Sequence, residues 1–116
     1  MTKRGRKMSV AEKKQEMIAK SLYPEELDKL ICYTETLLEK EAVFPTELQW
    51  QILMNHLNEM IVRKKQADLI SAIDMSVFSE ISQRSLVLAE RIAKQIGDLP
   101  KAEIYVLSIH FENANQ

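Results

Sequence analysis

The chain has two histidines, His56 and His110, and their side chains have the clearest potential for chemistry. A neutral imidazole is a good nucleophile near pH 7, and it can also bind a metal ion or titrate as a pH-sensitive group. Each histidine lies in a segment whose apolar residues recur at helical spacing. We therefore expect both imidazoles at the edge of a packed core, half covered by neighbouring side chains.

The residues available do not complete the common catalytic or metal-binding sets. Cys32 is the only cysteine, it falls within a predicted core helix, and the sequence has neither a Gly-rich nucleophile elbow nor a phosphate loop. The spacings His-x-x-x-His and Cys-x-x-Cys are also absent, so a metal site would need a third ligand from elsewhere in the fold. The sequence therefore predicts a protein that is not an enzyme and that uses no metal and no other cofactor.

A histidine that accepts a phosphoryl group needs fewer partners, because the donor protein supplies most of the catalytic groups. It must be accessible, and a cation nearby helps to hold the added charge. His56 and Arg63 are seven residues apart, which places them on one helix face about two turns apart. Glu103, two turns before His110, would either orient an imidazole or repel a phosphate. The spacing equally allows both histidines to be boundary residues of a helical bundle.

Composition predicts a single all-α domain. The 116 residues suffice for one domain, 46% of them are hydrophobic, and 2 Gly and 3 Pro are too few for a turn-rich β-protein. No apolar run approaches the roughly 20 residues of a transmembrane helix, and no apolar segment follows the basic start of the chain. A lone cysteine excludes an internal disulfide. We expect a cytoplasmic protein with no membrane association.

We predict a compact bundle of about five helices. They run from about Val10 to Lys20, from Pro24 to near Glu41, from Thr46 to Arg63 or Lys65, from Ser76 to Gly97, and roughly from Lys101 to Glu112. Capping boxes mark two of the starts, Ser9 with Glu12 and Thr46 with Gln49. Gly97 is a natural end for the fourth helix.

The fourth helix and the segment before it carry the weakest local signals. Ser76 is able to cap this helix, whose buried positions would include Phe78, Ile81, Ser85, Leu88, Ile92 and Ile96. The pattern over residues 66–75 leaves open a short helix through residues 67–70.

Charge divides the chain into a basic start and an acidic remainder. Residues 1–20 carry seven Lys/Arg and two Glu, a net charge of +5, whereas residues 21–116 carry nine basic and fifteen acidic groups, a net charge of −6. A basic arm can bind nucleic acid. This arm has no aromatic residue to stack on a base, which favours a solvated leader that is partly helical or disordered.

Two segments resemble the PTS regulation domain (PRD) family, the helical regulatory module of bacterial sugar-operon antiterminators and activators. Members carry one histidine in a helix reading roughly Asp-His-Ile-x-x-Ala-Ile-x-Arg and another in a closing helix like Pro-x-x-Glu-x-x-Tyr-Leu-Ala-Leu-His-Phe. The corresponding segments here are Asn55-His56-Leu57-Asn58-Glu59-Met60-Ile61-Val62-Arg63 and Leu99-Pro100-Lys101-Ala102-Glu103-Ile104-Tyr105-Val106-Leu107-Ser108-Ile109-His110-Phe111. Residues 80–97 look like the family's long amphipathic helix, so the resemblance covers about residues 22–115.

The resemblance implies a function for the two histidines. In the family, such residues are phosphorylated by the phosphocarrier protein or by sugar-specific EIIB components of the phosphotransferase system. Phosphorylation changes how the modules dimerise and thereby switches an attached output domain. Carried onto this chain, it implies that His56 and His110 are phosphoacceptors in a homodimer, with Arg63, Glu103 and Asn55 as supporting residues.

Three departures from the family pattern shape our expectations. Asn55 stands where the family usually has Asp, and Tyr105 is bulkier than the small residue common at its position. Residues 1–20 are too few for an RNA-binding or DNA-binding output domain. We therefore expect a stand-alone PRD-like module, residues 21–116, that acts on a regulator in trans. Two alternatives stay open: a nucleic-acid-binding adaptor that uses the basic arm, and a dimerisation module that is not phosphorylated.

Overall fold

The computed structural model describes residues 9–70, Ser76 and residues 80–114. These residues form five α-helices and no strand, which confirms the predicted all-α bundle. The helices are α1 Val10–Lys20, α2 Pro24–Lys40, α3 Glu47–Lys65, α4 Gln83–Ile96 and α5 Lys101–Ala114. None of these helices is long and apolar enough to cross a membrane.

The starts of α1 and α3 are set by the predicted capping boxes. The Ser9 hydroxyl accepts the Glu12 N–H while the Glu12 carboxylate accepts the Ser9 N–H. Thr46 and Gln49 make the same reciprocal pair at the start of α3. Each box satisfies two backbone donors that have no partner inside the helix, so both helices begin where the local sequence requires.

The predicted start of α4 at Ser76 is wrong. The helix begins at Gln83, and Ser82 is its N-cap, with a hydroxyl that accepts the Ser85 N–H. Ser76 and Ser82 offer the same capping hydroxyl, and at Ser82 a distant contact supports the cap, since the Ser82 N–H donates to the Glu112 carboxylate at 2.6 Å. Ile81 is therefore half-buried just outside the helix.

The other positions predicted to be buried along α4 have mixed outcomes. Ser85, Leu88 and Ile92 are buried as predicted, and Ile96 is partly buried against the core. Phe78 lies outside the described residues. The buried face of α4 was therefore predicted correctly over the part of the helix that forms.

The short helix left open for residues 67–70 does not form. Ala67 adopts a positive φ of 55°, and the Asp68 N–H closes the end of α3 by donating to the Arg63 carbonyl at 2.8 Å. A left-handed residue with such a bond is a common way to end a helix. The chain then runs on without helical structure to Ile70.

Helix α3 lies at the centre of the bundle, in contact with each of the other four helices. Its buried side chains are Leu53, Met54, Leu57, Met60 and Ile61. They pack into one apolar core with residues of α2, α4 and α5, including Leu27, Ile31, Leu88, Ile92, Leu107 and Phe111. The edges of α3 therefore face neighbouring helices, and polar residues there are brought against them.

The described part of the predicted basic arm is helix α1, which packs against α2 and α3. Met17 and Ile18 are partly buried against the core. Lys13 donates to the Gln51 side chain at 3.1 Å, and Lys14 pairs with Glu35 at 3.2 Å. Residues 10–20 are thus part of the helical bundle, while the basic residues 3–7 lie outside the described residues.

Gly97 ends α4 with a φ of +147°, a conformation that other residues rarely adopt. We expect Gly97→Ala to lower the free energy of unfolding by about 1–3 kcal/mol, because the added Cβ would also lie 3.1 Å from Lys64 Cε. Urea denaturation measures the change. Gln95→Ala, at an exposed position in the last turn of α4, is the control and should stay within about 0.5 kcal/mol of the parent. Equal stability of the two variants would contradict the prediction.

Candidate functional site

Helices α3 and α5 run antiparallel and meet along one seam. His56 of α3 lies against His110 of α5, and Arg63 of α3 lies against Glu103 of α5. From His56 to Arg63 the residue number rises by seven along α3, whereas from His110 to Glu103 it falls by seven along α5. The two contacts therefore lie about two helical turns apart on the same helix faces. The seam thus brings together four of the five residues that the sequence singled out.

The two imidazoles form a close pair, which we call the histidine pair. The ring centroids of His56 and His110 are 4.8 Å apart, and the ring planes are tilted by 40°. Both side chains are half-buried, as the helical spacing predicted. Nε2 of His56 is buried and has no hydrogen-bond partner among the described residues. Packing therefore holds this ring in place without satisfying its polar atom.

Burial keeps the histidine pair neutral at pH 7. It lowers the pKa of His56 to about 4, with the charges of His110 and Arg63 acting in the same direction and Glu103 opposing them. Burial also lowers the pKa of His110. A neutral imidazole has a free lone pair on one nitrogen, so both rings are in the nucleophilic form.

Two turns along the seam, a buried carboxylate joins three parts of the chain. Glu103 is 0% exposed. Its two oxygens accept hydrogen bonds from Arg63 Nε at 2.8 Å and Arg63 Nη2 at 2.7 Å, and Oε2 also accepts the Ile70 N–H at 3.0 Å. We call this arrangement of Arg63, Glu103 and Ile70 the carboxylate clasp.

The hydrogen bonds of the carboxylate clasp keep both side chains charged. Burial raises the pKa of the Glu103 carboxyl, but the hydrogen bonds from Arg63 and from the Ile70 N–H outweigh it and leave this pKa below its ordinary value. The hydrogen bond to Glu103 in turn raises the pKa of Arg63. A bidentate, charge-assisted pair of this kind is among the strongest polar contacts in proteins.

The structure changes the expected relations among the supporting residues. The hydrogen bonds of Arg63 go to Glu103, and its charge acts on His56 from a distance. Asn55 is exposed and donates to Glu59 at 3.1 Å. Within the described part of the chain, the structure gives no hydrogen bond from these residues to either histidine. Their supporting roles stay predictions.

The third member of the carboxylate clasp could not be predicted from the sequence. Ile70 takes part through its backbone N–H, a group that every residue except proline carries, so its side chain gives no signal. Among the described residues, no group of three or more His, Cys, Asp or Glu side chains is arranged to hold a metal ion.

Comparison with known proteins shows the family to which the chain belongs. The PRD domain model matches residues 28–114, so the chain belongs to the PRD family. Its structure is similar to the 1.38 Å crystal structure of a PRD-containing transcription regulator from Lactobacillus casei ATCC 334, with a TM-score of 0.86 and 38% sequence identity. The match covers 94% of this chain and 97% of that chain. No curated protein matches the chain.

Proposed function

We propose that this PRD protein is a regulatory module for transcription that receives phosphoryl groups on His56 and His110 from the sugar phosphotransferase system. The observation that carries the proposal is the histidine pair, two imidazoles 4.8 Å apart on the seam between α3 and α5. Membership of the PRD family and the structural similarity to a PRD-containing transcription regulator support the same function.

The neutral state of the pair suits nucleophilic attack. A free imidazole nitrogen of the module attacks the phosphorus atom of a phosphohistidine or phosphocysteine on the donor. A new P–N bond forms while the donor's bond to phosphorus breaks, and the donor side chain leaves with the electron pair. The donor is the phosphocarrier protein or an EIIB component.

A phosphoryl group changes the energetics of the seam. It carries close to two negative charges at neutral pH and needs solvent or cations around it. The histidine pair does not provide these freely, because burial already disfavours charge at His56 and the Arg63 guanidinium, whose charge reaches His56, is bound by Glu103. Phosphorylation therefore forces the seam to rearrange, and the module transmits that change through a homodimer contact or to a regulator in trans.

The nucleic-acid-binding alternative gains no support from the described residues. Three basic residues of the arm have side-chain partners within the chain: Lys13 with Gln51, Lys14 with Glu35, and, in an exposed pair on α1, Lys20 with Glu16. Each of these contacts competes with a phosphate for the same ammonium group. The phosphoacceptor function is the one that the site geometry favours.

Intact-mass analysis tests the proposal. The purified protein is incubated with phosphoenolpyruvate, Enzyme I and the phosphocarrier protein, and a parallel sample receives a sugar-specific EIIB donor. Each sample is measured before and after brief acid treatment, because phosphohistidine is labile in acid and phosphoserine is stable. We expect one or two acid-labile phosphates.

Matched variants locate the phosphate. His56→Gln and His110→Gln should each remove one acceptor, and the double variant should take up no labile phosphate while its circular dichroism stays helical. Uptake that survives in the double variant would contradict the assignment of the acceptors. Absence of uptake from both donors would refute the proposed function and favour a dimerisation module that is not phosphorylated.

A further inference from the structure

The carboxylate clasp ties the backbone that follows α3 to helix α5. Ile70 lies five residues beyond the end of α3 at Lys65, and its N–H donates to Glu103 Oε2 at 3.0 Å. The same carboxylate accepts hydrogen bonds from Nε and Nη2 of Arg63. The position of the Ile70 backbone therefore depends on an ion pair that belongs to the histidine seam.

Charge at the histidine pair acts on the two members of this ion pair in opposite directions. Arg63 and Glu103 both lie close enough to influence His56 electrostatically. A negative charge at that point attracts the Arg63 guanidinium and repels the Glu103 carboxylate. Both effects pull the ion pair apart, and the low exposure of the site limits how far solvent screens them.

We infer that the carboxylate clasp responds to the charge of the histidine pair: negative charge there draws Arg63 away from Glu103, and Glu103 then releases the Ile70 N–H. The inference rests on the proposed function for the source of that charge, the phosphoryl group. As a consequence, phosphorylation of the histidine pair frees the start of the connection between α3 and α4 from its contact with α5.

The burial of Glu103 explains why it releases the Ile70 N–H once Arg63 turns away. Glu103 is fully buried, and a buried carboxylate without its cation is strongly unfavourable. The carboxyl group either takes up a proton or turns toward solvent. A protonated carboxyl group is a weaker acceptor, and a displaced one no longer reaches Ile70, so the hydrogen bond to its N–H weakens in both cases.

A second contact supplies an internal control. The Ser82 N–H, at the start of α4, donates to Glu112 Oε1 at 2.6 Å. Glu112 lies two residues beyond His110, so it projects from a different side of α5. Both backbone amides are held by α5 carboxylates, and only Ile70 shares its carboxylate with Arg63.

Amide hydrogen exchange of the full chain, measured by NMR, tests the inference without a phosphoryl donor. His56→Glu places a negative charge at the pair, and His56→Gln is its uncharged match. We expect the Ile70 amide to exchange about tenfold faster, or more, in His56→Glu than in His56→Gln. The amides of Ser82 and of Ile31, in the core of α2, should exchange at similar rates in the two variants.

A further pair of variants asks whether the effect passes through Glu103. In a Glu103→Gln background, the side-chain amide oxygen can still accept the Ile70 N–H, but it carries no charge to be repelled. The difference between His56→Glu and His56→Gln should then largely disappear. Equal Ile70 exchange in the first pair would overturn the inference, as would an equal acceleration of Ile70, Ser82 and Ile31, which would indicate general destabilisation. Phosphate uptake is measured separately, so a failure of the proposed function is distinguishable from a failure of this coupling.

Discussion

Arg63→Ala should lower the free energy of unfolding by about 3–5 kcal/mol, the range for removing one partner of a buried ion pair. Most of this loss of stability arises because the Glu103 carboxylate remains buried without its cation. Glu103 is 0% exposed, and without the Arg63 fork it keeps only the Ile70 N–H of the contacts in the carboxylate clasp. Urea denaturation of the parent and the variant at pH 7 measures the difference.

Lys65→Ala is a matched control on the same helix. Lys65 pairs with Glu26 at 2.9 Å, but the two side chains are 46% and 44% exposed. Solvent screens such a pair, so its removal should change stability by no more than about 1 kcal/mol. Similar losses for Arg63→Ala and Lys65→Ala would contradict the burial argument.

A double substitution separates the ion pair from the cost of an orphaned charge. Replacing both partners by methionine, Arg63→Met with Glu103→Met, leaves no buried charge and keeps much of the side-chain volume. The double variant should be more stable than Arg63→Ala, although its Ile70 N–H loses an acceptor. A double variant less stable than Arg63→Ala would mean that the ion pair itself is strongly stabilising.

Features governed by neighbouring residues could be predicted from the sequence. The capping boxes at Ser9 and Thr46 involve residues three apart, and the structure contains both. The stop at Gly97 also follows from one residue's backbone preference. The start of α4 could not be found this way, because the cap at Ser82 is supported by Glu112, which is 30 residues further along the chain.

The candidate site shows the same division between local and distant information. Helical spacing placed His56 and Arg63 on one face of α3, and His110 and Glu103 on one face of α5. It could not supply the register between the helices, which pairs His56 with His110 and Arg63 with Glu103. For that reason the sequence left open which histidine Arg63 and Glu103 would support, whereas the structure joins these two residues to each other.

The histidine pair should make the protein less stable as the pH falls from about 6.5 to 4. Burial lowers the pKa of His56 to about 4 in the folded chain, while an unfolded histidine titrates near 6.5. Between these values the unfolded chain binds more protons, so acidification favours unfolding. A difference of this size corresponds to about 2–3 kcal/mol lost across the interval, and stability is fully retained above it.

His56→Gln tests this prediction because it removes the titrating group from both the folded and the unfolded chain. Urea denaturation at several pH values between about 7.5 and 4.5 should show a shallower loss in the variant than in the parent. The pKa of Glu103 is lowered, so its own contribution is lost at more acidic pH, and it is present in both proteins. His110 keeps its lowered pKa, so part of the loss should persist in the variant. Parallel stability curves for the two proteins would contradict the prediction, because they would show that His56 takes up a proton as readily in the folded chain as in the unfolded one. Burial would then not hold His56 neutral, the state on which the proposed nucleophilic attack depends.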